Sequence, residues 1–549
     1  MVDFSLTETG SEGITVPLRY VAFRRIWCSS VLSNLGILIQ GVGAAWSMTE
    51  MASSASKVAL VQTALWLPFM LISMPAGAIA DMYDRRVVAL VSLGISLAGA
   101  TSLATLAFLG LLTPNVLLTL CFVVGCGMAL EIPAWQASLS EQVPAAALPA
   151  AVALNSISYN IARSIGPAIG GLIVATAGAV AAFALNALFY LPLIRALSLW
   201  KRAPELQPLP PENLGRAIVS GLRYIFNAPS IKVILARSMV LGIIGSSVVA
   251  LMPLVARNLL QGGAGTYGVM LSAFGLGAVI GAFNITRLRK RMAEELAVCV
   301  CAIVMGAAIF LVALSANALL TGCALVVAGC SWIIAWNLFS VCVQLSAPRW
   351  VAGRAQAAYQ AASTGGLAIG GWGWGHLTDA VGVEAALIVS ACLMSSSAFI
   401  GLWLGMPAIG ARHEEGDLLD HPAAQLPLEM DSGPIVVEIE YRVAQSSAHG
   451  FYEVAQEVGR FRQRNGAYAW TIACDIADPE LWTERFCCPT WLDYLRQRNR
   501  STKSERALDE QLVSFHIGPG PLKVRRLLER PISALNGKSR RWAPPSAAD

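Results

Sequence analysis

Between residues 27 and 405 the apolar positions fall in long runs that neither alternate nor keep to one helical face. The runs lie at 27–49, 58–80, 87–112, 115–139, 151–177, 179–199, 233–256, 266–286, 295–315, 318–345, 356–378 and 383–405. Each approaches or exceeds the roughly 20 residues that cross a bilayer as a helix. A single helix that is apolar all round can be a protein core. A long succession of them, joined by short polar turns, predicts a polytopic all-α membrane protein.

The pattern changes after 405. Val437, Ile439, Tyr441 and Val443 alternate with Glu438, Glu440 and Arg442, which predicts a half-buried strand. Phe451, Val454, Val458 and Phe461 then recur at helical spacing, with Ser447 placed to cap that helix and Gly466 to end it. Strands follow near 467–476 and 481–486, then a helix opened by Thr490 and Asp493, a basic polar stretch to 512, and a last strand at LKVRRLL near 522. The order is β-α-β-β-α-β, a ferredoxin-like α+β domain. The expected organisation is an N-terminal segment 1–26, six-helix bundles at 27–200 and 233–405 separated by a linker 201–232, a second linker 406–433, and the α+β domain 434–549.

Composition agrees with a membrane setting. The 549 residues are 56% hydrophobic and 13% charged, with mean hydropathy +0.60; soluble domains carry about a quarter charged residues. The charges are unevenly placed. One set of loops holds Arg85, Arg86, Lys201, Arg202, Arg216, Arg223, Arg287, Arg289, Lys290, Arg291, Arg349 and Arg354, and Arg19, Arg24 and Arg25 precede the first run. The alternate loops hold little beyond Lys57 and Arg257. The basic set is expected in the cytoplasm, with both termini there and the protein in the inner (plasma) membrane. The net charge of +5 reflects this topology and points to no nucleic-acid partner. The run after Trp27 is too long for a signal peptide, so no cleavage is expected.

The chain repeats itself. GPAIGG at 166–171 recurs as GLAIGG at 366–371, in the fifth helix of each half. Two six-helix halves joined by a basic linker are the layout of a rocker-type secondary transporter. With Gly77, Asp81, Asp84, Arg85 and Arg86 following the second run, the chain resembles the major facilitator superfamily. It departs from the general signature at Asp84, where glycine is usual, and at Met82, where a basic residue is usual. An acid before the two arginines resembles the transmembrane secretion effector branch, which includes enterobactin-type siderophore exporters. FRRIWCSSVLSNLG, ALEIPAWQASLSEQVP and ALNSISYNIARSIGPAIGG carry the same likeness. The resemblance implies that residues 77–86 form a gate, with close helix approach at Gly77; the alternative is a topology anchor. It also implies that Gly166, Pro167, Gly170 and Gly171 give a thin, bent helix face of the kind found in drug–proton antiporters, packed against the eighth span. The match is partial, since the first glycine of that motif is Ala162 here.

Ionisable residues inside spans are costly and mark functional candidates. Glu131 and Arg163 sit on adjacent spans at depths about 4–5 Å apart. Three roles are open: a buried ion pair, a proton carrier at Glu131, or a contact from Arg163 to an acidic substrate. Pro133 is expected to kink the helix beside Glu131. Asn34, Gln40, Trp46, Gln62, Trp66, Trp332, Trp336 and Asn337 are candidate cavity-lining residues, with packing as the alternative for each. Trp372 and Trp374 fit an interfacial belt, and His376 a surface site.

No phosphate-binding Gly-x-x-x-x-Gly-Lys-Ser/Thr occurs, so energy is expected from an ion gradient, with protons as the coupling partner. No metal-ligand spacing is present, no cofactor is expected, and the twelve cysteines are expected to be free thiols. The α+β domain resembles the dimeric barrel of antibiotic-biosynthesis monooxygenases, notably at LWTERFCCPTWLDYLRQRNR. That likeness implies a homodimerising or ligand-sensing module, or alternatively a cofactor-free oxygenase acting on the exported metabolite. Trp482, Glu484, Trp491 and Tyr494 can shape a pocket there or pack its core. The expected whole is a non-enzymatic exporter of siderophores or drug-like molecules in a lipid bilayer.

Overall fold

The computed structural model describes residues 15–52, 54–200, 221–406 and 428–529, together with 422, 425 and 426. Lys201, Arg202 and Arg216, and the side chains of Asp81, Lys290 and Arg349, lie outside the described residues. The chain divides into two compact units. One comprises 1–215, 233–342 and 356–407; the other comprises 216–232, 343–355 and 408–549.

Among the described residues ten helices are long and apolar enough to cross a membrane, all of them wholly or mainly in the first unit. Two are double length. Leu148–Leu199 has 52 residues and Arg349–Ser396 has 48. At about 1.5 Å per residue either would be more than twice the thickness of a bilayer core. Each is broken by one glycine, Gly178 at φ 79°, ψ 171° and Gly382 at φ 83°, ψ 168°. Only glycine takes that backbone region without strain. The break at Gly178 is a hairpin: Gly170 on one arm packs on Ile39, while Ala182 and Phe183 on the other arm pack on Gly43, one turn along the same first helix. Counted this way the spans number twelve: Val21–Met51, Ala55–Met82, Arg85–Phe108, Pro114–Gln142, the two arms of Leu148–Leu199, Pro229–Leu254, Ala264–Arg291, Glu294–Leu314, Ala318–Ser346 and the two arms of Arg349–Ser396, the last extended by a 3-10 turn Ser397–Leu402. They are called spans 1–12 below.

Several helices run past the apolar boundaries expected from sequence. Span 1 begins at Val21 rather than 27 and takes Arg24 and Arg25 into its first turn, because long basic side chains can lie along an apolar surface with their heads in water. Span 7 starts at Pro229 and continues through a π turn, Val255–Leu259. Leu172, Phe283 and Leu319 are 62%, 75% and 79% exposed on the helix surface. A surface so rich in large apolar side chains suits lipid rather than water.

The second unit holds a four-stranded antiparallel sheet in the order β2-β3-β1-β4. β1 is Ile435–Arg442, β2 Tyr468–Cys474, β3 Leu481–Cys488 and β4 Lys523–Leu528. Helix Ala448–Asn465 lies between β1 and β2. Two helices, Trp491–Asn499 and Lys503–Ser514, lie between β3 and β4. The polar stretch before 512 is therefore helical; Thr502 and Glu505 form a capping box that the charged composition concealed. Ser447 occupies the N-cap position of helix Ala448–Asn465 but makes no side-chain cap bond, whereas Thr490 accepts from the Asp493 amide at 3.1 Å. Ile435, Val437, Ile439, Phe451, Val458 and Phe486 form the core under the sheet.

A side chain larger than hydrogen at Gly178 has to leave this backbone region or strain it. Gly178→Val is expected to cost about 1–3 kcal/mol, read as a lower melting temperature of the detergent-solubilised chain. The same substitution at Gly94, where a Cβ meets nothing within 4 Å, should leave it near wild type.

Candidate functional site

The two halves of the first unit meet at one end, the end carrying Ala52, Gly178 and Gly382. Two helix pairs close it. In span 5, Gly166 and Gly170 pack on Leu38 and Ile39 of span 1, while Gly171 faces span 8. A Cβ on Gly171 would lie 2.7 Å from the Ala264 carbonyl and 2.9 Å from the Gly268 Cα. Span 11 repeats the arrangement in the other half. Gly366 and Gly370 pack on Met239, Gly242 and Ile243 of span 7, and Gly371 and Gly375 face Thr63, Ala59 and Ser56 of span 2. The GPAIGG and GLAIGG repeats thus do the same work: two glycines fit within their own half and one reaches across. Contacts at such distances are possible only without side chains.

Pro167 adds a second effect. It has no N–H, so the Arg163 carbonyl four residues earlier loses its helical partner. Gly275 of span 8 lies against that oxygen, where a Cβ would approach to 2.4 Å. Span 8 also bonds span 5 directly, Ser272 Oγ accepting from the Ala168 amide at 2.8 Å. The second pair has its counterpart: Thr63 Oγ1 donates to the Ala368 carbonyl at 2.8 Å. Asp379 accepts from the Ala55 and Ser56 amides at 2.6 and 3.1 Å, capping span 2 from span 11. Arg257 donates to the Thr49 carbonyl, and Trp46 stacks on Tyr267 at 6.4 Å.

At the opposite end lies the 77–86 cluster. Arg85 pairs with Glu141 at 2.8 Å, and Arg86 donates to the Ser198 carbonyl. Asp84, the departure from the general signature, accepts from the Arg86 and Val87 amides and caps span 3. Gly77 does not provide the expected close approach, since a Cβ there meets nothing within 4 Å. In the other half Arg237, 4% exposed, makes two bonds to Glu295 at 2.6 and 2.9 Å and a third to the Leu404 carbonyl at 3.0 Å. The Met406 amide bonds Glu295 at 2.7 Å, joining spans 7 and 9 to the end of span 12. Sequence reasoning missed this tie. Its signal was a lone arginine inside the apolar segment VILARSMVL.

The candidate cavity residues divide. Gln40 is a clamp, accepting from Asn186 at 2.6 Å between spans 1 and 6. Asn34 donates to Ser158 of span 5 at 3.2 Å, and Trp46 donates to Glu50 at 2.6 Å. Gln62 and Trp66 bond each other on span 2 at 3.2 Å. Trp332, Trp336 and Tyr359 form a ladder with ring centroids 5.2 and 6.0 Å apart, and Asn337 bonds back to the Ile333 carbonyl. Trp372 is exposed beside His376, whereas Trp374 is buried and bonds the Ile243 carbonyl at 2.7 Å, so it joins spans rather than lining an interface. Glu131 and Arg163 are not paired here. Glu131 is half-buried and has no ion-pair or hydrogen-bond partner among the described residues; the Arg163 guanidinium instead lies over the Phe274 ring, 5.7 Å from its centroid.

In the second unit Glu484 is fully buried. It accepts from Arg462 at 2.5 Å, Trp470 at 2.9 Å and Tyr441 at 3.1 Å. Arg462 also reaches Asp509 at 2.9 Å. Trp491 and Tyr494 are core residues. Glu484 and Arg462 therefore satisfy each other internally, as a buried charge requires, while Trp482 packs against the same core with its indole N–H unpartnered among the described residues. The same domain holds the chain before span 7: Arg223 donates to the Gly466 carbonyl at 3.0 Å and Arg464, paired with Glu505, stacks over Tyr224.

A family model described as transmembrane secretion effector matches residues 13–532. The chain belongs to that family, within the major facilitator superfamily. The match runs through the α+β domain. Among curated relatives, the staphyloferrin A transporter of Staphylococcus aureus is 26% identical over 268 residues, 48% of this chain and 66% of that protein. Enterobactin exporter EntS of Shigella flexneri is 28% identical over 272 residues, 49% of this chain and 63% of that protein. Multidrug efflux pump Tap of Mycobacterium bovis is 26% identical over 214 residues, covering 36% and 49%. The chain thus spans between 49% and 66% of these relatives. A point mutant of the nucleoside transporter NupG superposes with TM-score 0.57 at 12% identity, over 70% of this chain and 99% of that one. An inward-facing, occupied bacterial homologue of the lysosomal transporter Spinster gives 0.56 at 12% identity, over 72% and 97%. These likenesses establish the fold.

Two outcomes follow from this geometry. Gly268→Val should force spans 5 and 8 apart, seen as faster amide hydrogen exchange at 164–171 and 264–275 with membrane abundance unchanged. In the domain, burial above all raises the Asp509 carboxyl to about 6, with Glu484 and Glu505 adding and Arg462 opposing. The folded domain then keeps a proton that the unfolded chain releases near pH 4. Its stability should fall as pH rises from about 4 to about 6, and Asp509→Asn should flatten that slope in urea unfolding of the full chain.

Proposed function

We infer that the chain is a secondary active exporter of siderophores or drug-like small molecules, driven by proton antiport, in the inner membrane with both termini cytoplasmic. The observation that carries this reading is the closure of the two halves at one end by glycine faces. A backbone seal at one end suits one state of an alternating-access cycle. The names of the relatives support export of metal-chelating or drug-like compounds, and the Lys/Arg distribution supports the orientation.

Glu131 is our candidate for the coupling residue. A carboxylate without a partner inside a span is expensive, so the position suits a group that exchanges a proton as the cavity changes face. Residues 77–86 are our candidate gate, on the family signature they carry and their place at the end opposite the glycine seal. The α+β domain fits a regulatory or dimerising module of ferredoxin-like topology better than an oxygenase. Its buried Glu484 and Arg462 are spent on one another, with Asp509 also held by Arg462, and it grips the segment before span 7.

The test compares small molecules in the medium and inside cells with and without the intact chain, iron-replete and iron-starved. A chelating metabolite retained inside when the chain is absent is the expected result. No difference in either condition would move the substrate to xenobiotics and make drug susceptibility the readout. Glu131→Gln should abolish gradient-driven efflux while sparing substrate exchange, and Asp81→Asn should slow efflux at normal abundance; unchanged flux in either removes that assignment.

A further inference from the structure

Arg163 is an ionisable side chain inside a span that the described residues leave without an opposite charge. It lies inside span 5, half-buried, and among the described residues its guanidinium has no hydrogen bond and no ion pair. Its one described partner is the face of Phe274. That ring belongs to span 8, in the other half. The backbone of the same residue is part of the seal, since Gly275 packs on the Arg163 carbonyl. Arg163 also precedes Gly171 by two helical turns, so it marks the margin of the seal farthest from the closed end. Arg163 therefore touches the opposite half twice, through its carbonyl at Gly275 and through its guanidinium at Phe274.

An aromatic face compensates a cation only partly. A carboxylate, sulfonate or phosphate that accepts two N–H bonds from a guanidinium does so far better. The energetic mismatch is therefore specific: Arg163 lacks an anion. We propose that Arg163 and Phe274 form a substrate-sensing clasp whose ligand is a small organic anion with an aromatic body. The anion takes the guanidinium and the ring of the ligand packs against Phe274, replacing the direct contact between the halves. Because the clasp joins the halves only when no anion is bound, ligand binding favours their separation. A ligand shifts a two-state equilibrium only through such a difference in contacts. The opening step rests on the exporter reading; the binding step does not.

The test uses the full chain in nanodiscs of zwitterionic lipid and two probes with one ring and opposite charge, 2-naphthalenesulfonate and 2-naphthylmethylammonium, by titration calorimetry. The wild type should bind the sulfonate in preference to the ammonium. Arg163→Gln should weaken the sulfonate by roughly tenfold or more and leave the ammonium unchanged. Arg163→Lys keeps the cation and should keep the preference, which guards against a variant that fails to fold. Phe274→Leu should keep sulfonate binding but exchange amide hydrogen faster at 264–275 before any probe is added. In the wild type that acceleration should need the sulfonate. Equal affinity of the wild type for both probes overturns the proposal, as does unchanged sulfonate affinity in a folded Arg163→Gln. If the sulfonate site behaves as expected but no compound is exported in cells, the clasp stands and the exporter reading falls.

Discussion

Everything at the closed end depends on how near two helix backbones can come. Gly171 and Gly268 bring spans 5 and 8 together at a separation that a single methyl group would prevent, and Gly371 and Gly375 do the same for spans 11 and 2. In lipid there is no hydrophobic drive between apolar helices, so close packing and weak backbone contacts must hold the halves. Pro167 strengthens one such contact by freeing the carbonyl on which Gly275 rests. Much of the seal is backbone against backbone, with Trp46 on Tyr267 and Arg163 over Phe274 as the large side chains that meet across it.

The charges follow a complementary logic. At the end that carries residues 77–86, Arg85 pairs with Glu141 and Arg237 with Glu295, each within one half. Each of these pairs ties helices within one half. Between the ends, Glu131 and Arg163 are left without opposite charges among the described residues. The α+β domain does the reverse, burying Glu484 and satisfying it completely with Arg462, Tyr441 and Trp470.

Much of the fold was legible because its signals are local. A run of about 20 apolar residues can do little else than span a membrane. Alternation at 437–443 can do little else than form a strand with one buried face. Gly466 and Thr490 sit where chain ends of helices need them. The misses were also physical. Span ends lie farther out than the apolar runs because amphipathic side chains extend a helix beyond them. Helix Lys503–Ser514 was hidden because its buried face is narrow and its composition charged.

The sequence by itself determined that the chain is a membrane body with an α+β domain, that the body is a duplicated half, and which glycines matter, since repetition and periodicity are properties of the chain alone. Only the tertiary structure decided what those glycines touch. It separated Glu131 from Arg163, turned Gln40 into a clamp and Trp374 into a bridge between spans, and brought Arg237 to Glu295. Which partner a buried polar group finds depends on the rotation and depth of helices far apart in sequence, and a single chain carries no local signal for either.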